Sequence, residues 1–163
     1  MESKEQILND LNDSGKQVIE VVNNTPAEAF NRQKNGKWSV GDHFAHLVIL
    51  EGLIIKIMKG RVIPLKDREP NARIKVIRKI FENLDRKLQA GGPINPEPGD
   101  KNKEQLEQQF IQNRSQMAEI IEKEDLSLLC LDFKHAFFKE LSRLEWVYFA
   151  IIHAARHAKQ MVS

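Results

Sequence analysis

A single cysteine, Cys130, rules out a disulfide within the chain. It stands in the apolar run Leu126-Ser127-Leu128-Leu129-Cys130-Leu131, where a buried, inert thiol is expected. Nor is there a surplus of one charge. Against 25 Lys and Arg stand 23 Asp and Glu, so the chain lacks the basic surface with which nucleic-acid binders neutralise phosphate, and no nucleic-acid partner is expected. Long hydrophobic runs are missing as well. The most apolar stretch, Leu47 to Met58, is interrupted by Glu51 and Lys56 and falls short of the ~20 residues that cross a bilayer, so it reads as a buried helix and no membrane partner is expected. The opening Met1-Glu2-Ser3-Lys4-Glu5 does not have the basic-then-apolar order of a secretory signal, and the cytoplasm is the expected location. At 163 residues the chain has the size of one domain, expected to span 1–163.

What the chain does have is helical periodicity. Ile7, Leu8, Leu11, Val18, Ile19 and Val22 recur at three-and-four spacing, which predicts a first helix over about Glu2 to Val22, ended by Asn23-Asn24-Thr25-Pro26. Ser39 opens a second helix, with Asp42 in its first turn and Gly60 as its stop. Ile74, Ile77, Ile80, Phe81, Leu84 and Leu88 predict a shorter covering helix after a polar loop. The stretch Gly91 to Gly99, with three prolines and three glycines, is the strongest break and suits a crossover connection. Leu106, Phe110, Met117, Ile120 and Ile121 mark a third long helix, and Asp125 to Leu141 is less regular. The last helix starts at Ser142, which forms a Ser-x-x-Glu capping box with Glu145. Four long amphipathic helices without a strand pattern predict an all-α fold: a four-helix bundle with a long crossover connection and a short additional helix.

On the last helix, a rotation of about 100° per residue puts Trp146, Phe149, Ala150, His153, His157 and Gln160 in one sector, which must face the core. His153 and His157 are one turn apart, so both imidazoles can reach a single ion from a rigid backbone. Gln160 continues the stripe, where it could hold water or orient a ligand. The second helix offers two further histidines, His43 and His46, in a segment apolar nearly all round. Periodicity does not choose between them.

Trp38-Ser39 followed by His46-Leu47, together with His153-x-x-Arg156-His157-x-x-Gln160, resembles the DinB-like (YfiT-like) metalloenzyme superfamily of four-helix bundles. His135-Ala136-Phe137-Phe138-Lys139-Glu140-Leu141 is also similar to the His-Pro-Phe-Phe-Gly-x-Leu segment that precedes the last helix in one branch, with Ala136 and Lys139 where that branch has Pro and Gly. The resemblance implies a divalent metal ion, zinc or nickel most often, bound by His46, His153 and His157. It leaves His43 without a part, to be read as a partly exposed polar residue of the first helical turn. Glu51 falls where many members carry an acid, either as partner to a ligand imidazole or in a rim salt bridge.

Three neutral imidazoles leave a divalent ion an open position, as in catalytic zinc sites. Such an ion can lower the pKa of bound water to about 7 or hold a thiolate, so a thiol-dependent transferase or a hydrolase of a small molecule is expected. Relatives with activity use a low-molecular-weight thiol, but the resemblance to them extends to the metal motif alone and implies the ion, not the reaction. The alternative is a non-catalytic or stress-related bundle in which the ion is structural or the site vestigial. His135 is the candidate general acid or base. Arg156 could bind an anionic substrate group or form a surface ion pair. Trp38 and Trp146 read as core, and a homodimer packed through exposed helix faces is plausible from such a fold.

Overall fold

Each of the four amphipathic segments becomes a long helix started by a side chain that takes an otherwise unpaired amide of the first turn. The computed structural model describes residues 2–88 and 94–163. Helix α1 (Lys4–Asn24) is capped by Ser3, whose hydroxyl accepts from the Gln6 amide. After a one-turn helix α2 (Ala27–Phe30) comes α3 (Val40–Lys59), with a reciprocal capping box between Ser39 and Asp42. Helix α5 (Lys103–Lys123) is capped by Asn102, and α6 (Arg143–Met161) has the second reciprocal box, between Ser142 and Glu145. The shorter α4 (Ile74–Phe81) lies between α3 and α5 in sequence and packs on α6.

The long helices contact one another in a ring: α1 packs on α5 and α6, and α3 packs on the same two. Nearly every residue of α6 up to Ala158 is therefore buried. Apolar side chains inside the ring form two groups. One, with Ile54, Met58, Ile77, Met117, Trp146 and Val147, fills the half under α4. The other, with Val18, Val22, Phe44, Leu47, Phe110 and Ala154, fills the half where α3 begins and α6 ends. Among the described residues the fold is mostly helical, and no helix is long and apolar enough to cross a membrane.

Three local features depart from the sequence reading. The covering helix expected to run to Leu88 ends at Phe81, leaving Leu84 and Leu88 exposed. Beyond Phe81 the chain leaves the helix, and the carbonyls of Phe81, Asn83 and Arg86 accept from the guanidinium of Arg156 on α6. A small antiparallel sheet was not expected: β1 (Val62–Ile63) pairs with β2 (Leu129–Cys130), Val62 opposite Cys130. Two-residue strands carry no alternation for a pattern to reveal. Cys130 is fully buried there, and burial pushes its thiol up to about 11. The crossover expected over 91–99 lies in part, at residues 91–93, outside the described residues.

Candidate metal centre

The site is built where α3 starts and α6 ends, and the start of α3 is held unusually firmly. Asp42 Oδ2 accepts from the Ser39 amide and from the Gln33 side chain, while Oδ1 takes the Lys101 ammonium at 2.8 Å. Burial would raise the Asp42 pKa, but the hydrogen bonds from Gln33, Lys101 and Ser39 and the Lys101 charge outweigh it and hold the carboxyl at about 2. Gly41 lets this turn press against α2, since a Cβ there would stand 2.7 Å from Asn31 Oδ1 and 3.2 Å from the Phe30 carbonyl oxygen. Asn31 in turn pairs both ways with the Lys101 backbone. One turn along α3 from this anchor is His46.

His46, His153 and His157 converge. The Nε2 atoms of His46 and His153 are 3.2 Å apart, those of His157 and His153 are 3.1 Å apart, and one nitrogen from each of the three lies within 4.8 Å of the others. All three are buried, with 2%, 7% and 7% exposure. Burial lowers the pKa of each, His153 and His157 well below the ordinary value, with the charges of neighbouring histidines and of Arg156 adding to the effect on those two. They are therefore neutral imidazoles near pH 7.

Hydrogen bonding then decides which nitrogens are bare. His46 Nδ1 lies 2.7 Å from the Ile94 carbonyl oxygen, which can only accept, so the His46 proton is on Nδ1 and its Nε2 presents a lone pair. A proton on His153 Nε2 can satisfy one of its two Nε2 neighbours and not both. The arrangement is thus deficient in protons at its centre, and a cation is what such a donor set accommodates. Nitrogens bound at about 2.0–2.1 Å around one tetrahedral ion stand roughly 3.3 Å apart, close to the two spacings seen through His153. The residues present fit a divalent metal ion.

Aromatic rings close the surroundings. Trp38 lies stacked on His157 at 6.3 Å between ring centres and also contacts His43 and His46. Phe149 stacks on His153, and Phe81 meets it edge-on. Trp38 is half-buried over the histidines and not in the core as expected, whereas Trp146 is a core residue, 2% exposed.

A sequence profile of the DinB superfamily matches residues 6–161. The chain belongs to the DinB superfamily. No curated protein and no solved structure matches it. In this DinB superfamily member the residues expected around the triad are placed as follows. Glu51 is fully buried, but its partner is Arg114 of α5, which grips both carboxylate oxygens at 2.8 and 2.7 Å; it is neither beside an imidazole nor at the rim. Arg156 is buried, its charge raising the cost of protonating His153 and His157, and its guanidinium is committed to three backbone carbonyls instead of an anion site or a surface ion pair. Gln160 is half-buried in the last turn of α6.

His135 stands in a tight turn before α6, where its Nδ1 accepts from the amides of Phe137 and Phe138. Its ring packs on Phe138 and Phe149, so Phe149 separates it from His153.

His43 is the residue that sequence reasoning missed. Expected to be partly exposed, it is 9% exposed, enclosed by Trp38, with Nδ1 2.8 Å from His157 Nδ1. Burial, with the His46 charge next and Asp42 opposing, pushes its pKa down to about 4. A signal did exist: residues three apart on a helix share a face, so His43 and His46 point the same way.

Proposed function

We propose that this protein is a divalent-metal-dependent enzyme acting on a small molecule, a thiol-dependent transferase or a hydrolase, in a single four-helix-bundle domain spanning 1–163. The observation that carries the reading is the convergence of three buried, neutral imidazoles whose central nitrogens share too few protons. His46, His153 and His157 would hold the ion, zinc or nickel. Bound there it would supply Lewis acidity and an open coordination position. The chain's own contribution is fixed orientation: the Ile94 carbonyl sets the His46 ring, and the α6 backbone spaces His153 and His157. Trp38, Phe81 and Phe149 keep bulk water from the imidazole faces.

Purified protein is expected to carry one equivalent of metal, which His157→Ala loses while a chelator-stripped wild type regains it. Metal retained at full stoichiometry in His157→Ala would remove the assignment.

A second reading, a non-catalytic bundle with a structural ion, has its own support. The three side chains that might have supplied a base or an anion contact are engaged elsewhere: His135 by two amides, Glu51 by Arg114, Arg156 by carbonyls. Thermal melting with and without chelator, run beside a screen of thiol and ester substrates, separates the readings. A large chelator-dependent drop in Tm with no turnover favours the structural ion.

A further inference from the structure

Two of the three converging histidines meet the same need with different partners. An imidazole binds metal through one nitrogen, and the group bonded to the other nitrogen decides which way the ring faces and where its proton sits. For His46 that group is a backbone carbonyl. For His157 it is another imidazole, His43, at 2.8 Å between the Nδ1 atoms. We propose that His43 is the positioning residue of His157: its Nδ1 accepts the His157 Nδ1 proton and leaves His157 Nε2 as a lone pair aimed at His153 and His46. The inference rests on the metal reading of the triad and adds to it a fourth histidine that touches no ion.

Several observations support this direction of the bond. Only one of the two facing nitrogens can carry the hydrogen. If His43 donated, a neutral His157 would carry its proton on Nε2, where it is 3.1 Å from His153 Nε2 and would block the lone pair that ligation needs. With His157 as donor, His43 carries its own proton on Nε2 and the centre keeps its lone pairs. His43 is also itself held: it is the first-turn residue beside the clamped Asp42, its amide donates to the Ser39 carbonyl, and the Trp38 ring meets it edge-on at 5.4 Å. An acceptor fixed in this way transmits its position to the ring it bonds. The same Trp38 ring also stacks on His157.

The test compares His43→Asn with His43→Leu. Asparagine places its carbonyl oxygen two bonds from Cβ, as Nδ1 is in histidine, and so keeps an acceptor near the same point; leucine keeps bulk without one. Co(II) is the probe, titrated against a competing chelator and read by its ligand-field absorption. The expected result is a loss of Co(II) affinity of about 10- to 100-fold in His43→Leu with an altered absorption band, and near-wild-type affinity and band in His43→Asn. Leucine binding like wild type, or asparagine failing as leucine does, overturns the proposal.

Nitrogen-15 NMR of the metal-free wild type gives an independent decision. A proton on His157 Nδ1, coupled through the hydrogen bond to His43 Nδ1, is expected; a proton on His157 Nε2 overturns the inference. Wild type that binds no Co(II) at all would instead defeat the metal reading, and the NMR result would still decide the His43 pairing.

Discussion

At the scale of single residues, the Asp42 carboxylate accepts from Ser39 and Gln33 on one oxygen and from Lys101 on the other, which places the first turn of α3 before any packing is considered. Its folded pKa of about 2 lies below the ordinary 3.8, so the unfolded chain binds this proton more readily than the folded one. The stabilisation is fully present above about pH 4 and is lost as the pH falls through 2, amounting to about 2 kcal/mol. Urea midpoints of wild type and Asp42→Asn are expected to differ at pH 6 and to draw together toward pH 2; a gap that stays constant would contradict the assignment.

The same turn shows where sequence reasoning stops. Ser39 and Asp42 were legible as helix-start residues because capping is local chemistry. Trp38 was not, because it stands outside the helix, and no periodicity says that its ring folds back over His43 and His157. His43 reads as a partly exposed first-turn residue because the family pattern gives it no part.

Among the elements, the turn from His135 to Lys139 leads the chain toward α6. Paired hydrogen bonds join the two end residues, the His135 ring nitrogen gathers two inner amides, and Lys139 takes φ 63°, a left-handed conformation that suits glycine. The similar family segment has glycine at this position, and here the turn is kept with lysine. Lys139→Gly is expected to raise stability by about 0.5–1 kcal/mol, the relief of the strained φ exceeding the added freedom of the unfolded chain. The check is a higher urea midpoint with unchanged metal content.

Directly after the turn, Glu145 completes the α6 capping box and also accepts from Arg68 and from the Arg73 amide, while the Ser142 hydroxyl donates to the Pro70 carbonyl. The capping box could be read from Ser142 and Glu145 alone. Its pairing with Arg68 and Arg73, some seventy positions earlier, could not. Helix existence and order were similarly legible from the three-and-four spacing, whereas the segment after α4 gives its carbonyls to Arg156, a residue of a different helix, which no local pattern reveals.

Across the whole molecule, one buried ion pair ties three helices together. Arg114 of α5 holds both oxygens of Glu51 of α3 and donates through Nη1 to the Leu11 carbonyl and the Ser14 hydroxyl of α1. Burial raises the Glu51 pKa and the Arg114 charge works against it. Removing the arginine strands an acid in the interior. Arg114→Met is therefore expected to destabilise by about 3–5 kcal/mol, while adding Glu51→Leu recovers a large part of that loss. Denaturation of the two single variants and the double variant measures the coupling; a double variant as weak as Arg114→Met would show that the pair is not what joins these helices.

His46 and His153 meet although 107 positions separate them in the chain. The length-dependent part of closing such a loop is about 4 kcal/mol, and nothing local offsets it. The triad therefore cannot exist in any fragment that stops short of α6, however well α1 to α5 have formed. An ion captured by all three rings would act as a non-covalent cross-link between an early and a late segment, reporting that assembly has run to its last step.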